Sequence, residues 1–303
     1  MGLGNWLRER IPDRTVLRQR GKQLLVVLIL FSGLYLVGLF VPIGFDWRAF
    51  FSKGRLPNFW MPWTKPLLKF LTMPGVFALT VLGVGLRSVR YRFSYLAITL
   101  ALISLPTLWV LHLGTLDCLA LVGLLILPWG APLVLIKPQV ASFALLARRN
   151  TLIVTIVWLL ISLLIWGLWP LNMGQLFQPD WKQEWVQDIT LFPWGLIIAL
   201  PLMWFSRGDE DLLMAAGSLA TPHLFPYHFI VLMPALARMR WYWMVITWLV
   251  SFTPLLSNWL GSWAWHFGNL LSICFWLGIY TNRNAVLSKT TIFSLGKAPS
   301  VQA

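Results

Sequence analysis

Apolar residues run along this chain in long blocks with no strand-like alternation, and short basic clusters separate one block from the next. A helix needs about 20 mostly apolar residues to cross a bilayer. Blocks of that kind occupy 23–43, 66–86, 94–113, 150–170, 190–206, 241–258 and 263–281. Each is expected to be a membrane helix.

Two further apolar regions are interrupted. Residues 115–147 contain Pro128, Trp129, Gly130, Pro132, Lys137 and Pro138, and 212–237 contain Thr221-Pro222-His223 and Phe225-Pro226-Tyr227-His228. Each pattern predicts paired short helices or a broken helix. Irregular backbone at membrane depth needs protein or a water-filled cavity to satisfy it, so two broken segments in one bundle predict a polar cavity. A proline kink inside a continuous helix is the alternative.

The fold expected is all-α, a polytopic transmembrane bundle of about nine or ten membrane segments, two of them broken. Residues 1–22 form a basic arm, 23–281 one helical domain with outer loops at 45–65 and 171–189, and 282–303 a tail. Composition agrees: 58% of the 303 residues are hydrophobic and 11% charged, unlike a water-soluble domain of this length. Trp109, Trp169, Trp194, Trp241 and Trp263 fall at block ends, where interfacial aromatic belts form. The basic arm resembles a signal n-region, but no small-residue cleavage site follows Gly44, so the first block reads as an anchor.

A net charge of +14 would suit nucleic acid, but the cations lie between apolar blocks rather than on one face, so orientation explains them better. With both termini cytoplasmic, Arg87/Arg90/Arg92, Arg148/Arg149, Arg207, Arg238/Arg240 and the tail all fall inside. This requires one net crossing by 115–147 and a shallow hairpin at 212–237. The expected location is the plasma membrane of a bacterial cell. The loop 45–65 is the exception, carrying Arg48, Lys53, Arg55 and Lys65 outside among aromatics, as an interfacial anchor or a site for phosphate-bearing lipids. The loop 171–189, with Asp180, Trp181, Glu184, Trp185 and Asp188, is spaced as an amphipathic surface helix whose acids are solvated.

Candidate chemistry is sparse. Asp46 follows the first helix and Asp117 opens a broken segment, both expected at the outer boundary, where ionisable groups are costly and mark functional sites. His112, His223, His228 and His266 fall on the same side, where they could converge on one cavity. Lys137 interrupts an apolar stretch and meets a lipid phosphate or snorkels to the headgroups. No metal-ligand spacing, nucleotide loop or disulfide framework is visible, and Cys118 and Cys274 read as ordinary helix residues.

The order of four elements resembles the C-type polytopic glycosyltransferases, in particular the polyprenyl-phosphate-mannose-dependent mannosyltransferases of glycosyltransferase family 87. They are Phe45-Asp46-Trp47-Arg48 with the proline-marked start Met61-Pro62-Trp63-Thr64-Lys65-Pro66, then His112-Leu113-Gly114-Thr115-Leu116-Asp117, then Ile136-Lys137-Pro138-Gln139, and last Thr221-Pro222-His223 with Tyr227-His228. The resemblance implies a polyprenyl-phosphate sugar donor and a lipid or glycan acceptor on the outer face; no cofactor is expected. It makes Asp46 the catalytic carboxylate, with Arg48, Lys65, Asp117, Lys137, His223 and His228 as substrate-binding candidates. An Asp46–Arg48 ion pair is the competing role, and it would lower the carboxyl pKa and weaken the base. A transporter or flippase for a lipid-linked or anionic substrate, and a non-catalytic membrane subunit, remain as alternatives from other classes.

Overall fold

The computed structural model describes residues 14–53, 56, 60–172 and 187–294, with side chains described from 21 to 283 within those ranges. The amphipathic segment expected around Asp180, Trp181, Glu184 and Trp185 lies outside the described residues. Among the described residues all regular structure is helical.

Three helical stretches are long and apolar enough to cross a membrane: Gly21–Gly38, Arg149–Trp166 and Trp241–Leu260. Only 6%, 17% and 22% of these windows are buried in protein, so their apolar side chains face outward. Leu24, Ile29, Leu160 and Leu164 stand exposed along them. Such a surface is at home in hydrocarbon, not water.

The block 94–113 passes the same test only as a pair, Tyr95–Leu102 and Leu105–Leu113, bent by 48°. Pro106 causes the break, because it disfavours helix in the residue before it and removes an N–H. Ala101 O, left near the break, accepts from both Ser104 Oγ at 2.8 Å and Thr107 Oγ1 at 2.7 Å.

Other boundaries shift where capping outweighs hydropathy. The block 66–86 divides into Thr64–Leu68 and α1 (Met73–Tyr91), because Thr72 caps the second helix through Gly75 N and Pro74 suits its first turn. The last block opens as a 3₁₀ turn over Ser262–Asn269 before the helix α2 (Leu270–Ser294).

The two broken segments form the centre of the bundle. From Asp117 the chain runs to Leu125, turns over 126–130 and comes back, with Gly123 packed against Gly130 and Val134. Nine helical residues rise about 14 Å, half a bilayer, so this is a dip that returns Lys137 beside Asp117. The chain then continues through Ser142–Leu146 to Arg148, which pairs with Glu210 at 3.2 Å.

The second segment starts at Glu210–Ser218, tips at 221–228 and returns through the 3₁₀ turns Pro226–Val231 and Met233–Arg238. Nearly every residue of the return is buried, which meets the requirement that irregular backbone be covered by protein. The hairpin is not shallow. It links the two ends of α1, because its base is tied to Arg87 and its tip reaches Lys137.

At its base, Asp211 Oδ1 lies 2.9 Å from Arg87 Nη2 and accepts from Tyr91 Oη at 2.9 Å, while Asp211 Oδ2 accepts from Arg238 Nη1 at 2.5 Å. Arg238 also engages Asp209, the N-cap of Glu210–Ser218. This network borders a cleft of about 320 Å³ that Arg90, Arg148 and Glu210 also line. The basic clusters that sequence scatters between blocks are therefore gathered at one end of the bundle.

Tryptophans fill the flank. Trp63 donates to Pro132 O at 2.9 Å and meets the rings of Trp158, Trp166 and Trp169 at centroid distances of 5.6, 6.1 and 5.5 Å. Trp169 Nε1 donates to Ser162 Oγ.

Candidate functional site

The opposite end of α1 carries the site. Asp46 leads into a π-helical turn, Trp47–Phe51, whose Trp47 and Phe51 are buried. Gly44 seats this loop. A Cβ there would stand 2.2 Å from Leu113 O, so only glycine lets the loop press on the end of the preceding helix. That helix stops at Gly114 in left-handed conformation, φ 72°, and the chain turns directly into Thr115 and Asp117.

Asp117 is 1% exposed and Lys137 7% exposed, so both ions are withdrawn from bulk water. Thr115 Oγ1 donates to Asp117 Oδ2 at 2.5 Å, and Lys137 Nζ stands 3.9 Å from the same oxygen. That separation is a long ion pair, which leaves ammonium donors for another acceptor. The ammonium also lies 4.8 Å from the Trp60 ring centroid and 5.5 Å from that of Tyr227, a cation–π cradle that holds it in place.

Asp46 is half-buried and within electrostatic reach of both ions. Burial pushes its carboxyl above the ordinary aspartate value, the Lys137 ammonium draws it back, and the Asp117 charge raises it again. The expected pairing with Arg48 is not among the described ion pairs; Arg48 is exposed. The direction is thus the reverse of what that pairing would give, and it favours a base.

The hairpin tip closes the site. Thr221 Oγ1 donates to Gln139 O at 2.6 Å, tying the Thr-Pro element to the Lys-Pro element. His228 Nδ1 accepts from Phe225 N at 3.1 Å, so a neutral ring carries its proton on Nε2. Nε2 is buried and meets no hydrogen-bond partner among the described residues. His223 Nδ1 lies 2.7 Å from Asp188 Oδ2, and Asp188 Oδ1 accepts from Leu224 N and Thr190 N.

Of the residues expected from sequence, Asp46, Asp117, Lys137, His223 and His228 come together. Arg48 and Lys65 do not: both are exposed. His112 and His266 are exposed as well, so the histidines that gather are the two of the hairpin tip. Sequence reasoning missed Asp188, which it treated as a solvated acid, and the aromatic cradle of Trp60 and Tyr227. The signal for Tyr227 was its place between Pro226 and His228 in a buried broken segment.

Among the described residues no group of three or more His, Cys, Asp or Glu is arranged to hold a metal ion. No protein-family model matches the chain, and neither a curated protein nor a solved structure matches it.

Proposed function

We propose that the protein is a membrane-embedded glycosyltransferase of the C-type plan that moves a sugar, in first place mannose, from a polyprenyl phosphate to a lipid or glycan acceptor. In this reading α1, α2 and Leu196–Ser206 add membrane segments to the three long apolar stretches. The observation that carries it is Lys137, buried between Asp117, Trp60 and Tyr227 beside the half-buried carboxylate of Asp46.

The chemistry needs a base and an anion cradle. Asp46 takes the proton of the acceptor hydroxyl as its oxygen bonds to the anomeric carbon. The bond from that carbon to the phosphate oxygen breaks, and polyprenyl phosphate leaves as an anion held by Lys137 and the His228 Nε2–H. Asp117 and Thr115 position Lys137, and Asp188 fixes the ring of His223 at the rim.

The test is transfer from radiolabelled polyprenyl-phosphate mannose into extracted lipid or glycan. Membranes with Asp46→Asn protein are expected to lose transfer while the inserted amount stays equal. Full transfer by that variant removes Asp46 from the mechanism. No transfer by wild type across several polyprenyl-phosphate donors, with flux of such a lipid across liposomes, replaces the transferase by a flippase.

A further inference from the structure

The end of the bundle remote from Asp46 holds a second cleft, of about 390 Å³, beside the one bordered by the acids. Arg92, Arg238 and Arg283 line it with Tyr91 and Asn282, and among the described residues no acid does. Arg238 turns its Nη groups to Asp209 and Asp211 of the neighbouring cleft. The other two are held by single bonds to backbone: Arg92 Nη2 to Met239 O at 3.3 Å, and Arg283 Nη1 to Ser206 O at 3.0 Å. Neither has a carboxylate partner among the described residues. Asn282 Nδ2 donates to Arg238 O and braces the wall between them.

Guanidinium groups anchored through one N–H keep their remaining donors in a fixed fork, which suits phosphate oxygens. The floor adds a second requirement. Ala237 and Ile279 are buried apolar residues of the same cleft, and the helices Trp241–Val250 and α2 that flank it present exposed Trp241, Leu249 and Leu277. A cationic rim over an apolar floor, at the end of lipid-facing helices, matches an amphiphile better than a soluble ion.

We infer that this cleft binds a phosphate monoester or diester group, presented by a membrane lipid. The inference is independent of the transferase reading, because it concerns the other end of α1 and needs no turnover.

Native mass spectrometry of the purified full chain in detergent tests it, with short-chain phosphatidic acid as probe and phosphatidylcholine of equal chain length as comparator. Wild type is expected to bind phosphatidic acid above phosphatidylcholine, and Arg92→Gln with Arg283→Gln to weaken it by roughly tenfold, as for loss of charge-assisted hydrogen bonds. Arg92→Gln alone, exposed and bonded only to a carbonyl, repeats the test should the double variant unfold. Arg90→Gln removes a charge at the same end outside the cleft and is expected to leave binding unchanged. Inorganic phosphate that displaces the lipid at equal concentration would identify the source as free phosphate; no displacement identifies the lipid. Equal binding of both lipids by wild type, wild-type affinity in the Arg92 variants, or an equal loss in Arg90→Gln overturns the site.

Discussion

Arg87 and Asp211 are 124 residues apart in sequence, yet Nη2 and Oδ1 meet at 2.9 Å with both side chains almost fully buried. The pair fastens the base of the central hairpin to α1. Because a carboxylate stripped of one partner leaves a charge buried and uncompensated, removing either member costs far more than the pair contributes net.

Asp211→Ala is therefore expected to destabilise the protein by about 3–5 kcal/mol, since it strands Arg87 and weakens the hold on Arg238. Thermal unfolding in detergent checks this. A variant melting with wild type would show that the hairpin base is held by packing alone.

The pH dependence of transfer follows from Asp46. A base works deprotonated, so the rate rises with pH through a value above that of an ordinary aspartate, because burial is the dominant influence. Lys137→Met removes the lowering charge and is expected to move the acid limb to higher pH. Asp117→Asn removes a raising charge and is expected to move it to lower pH. Limbs moving together, or not at all, would separate Asp46 from the proton transfer.

Gly44→Ala tests how the Asp46 loop is seated. The added Cβ would meet Leu113 O at 2.2 Å, backbone that cannot swing away, so the loop must lift. Transfer is expected to fall by at least tenfold and the melting temperature to drop with it, because lifting the loop draws Trp47 and Phe51 out of the core they join. Unchanged transfer would mean that Asp46 need not sit against the Gly114 turn.

Sidedness is testable with single cysteines after replacing Cys118 and Cys274. Ser52 and Arg90 are exposed at opposite ends of the bundle, so Ser52→Cys and Arg90→Cys are expected to label from opposite faces of sealed vesicles. Labelling from the same face would overturn the proposal that α1 is a membrane segment. Asp117, at 1% exposure, is a poor reporter.

Hydropathy made the helical class and the apolar exterior legible, because lipid-facing stretches such as Arg149–Trp166 carry no competing signal. The proline clusters at 128–138 and 222–226 marked the broken segments, and with them Lys137 and His228. What sequence left obscure depends on contacts distant along the chain. Arg48 and Lys65 looked equivalent to Lys137 by charge, and only burial separates them. Asp188 was indistinguishable from a solvated acid until Thr190, His223 and Leu224 closed around it. The arginines near 87 and 238 read as orientation signals, whereas Asp211 turns two of them into a buried tie.

The tryptophans around Trp63 have a consequence beyond packing. Trp158, Trp166 and Trp169 hold their rings at fixed angles of 84°, 50° and 89° to it, close enough for their electronic transitions to couple. Such an array rotates near-ultraviolet light only while its geometry is kept. It joins Trp63, within the first loop, to Arg149–Trp166 on the flank, so the chain carries a built-in optical gauge of whether that lipid-facing helix is docked.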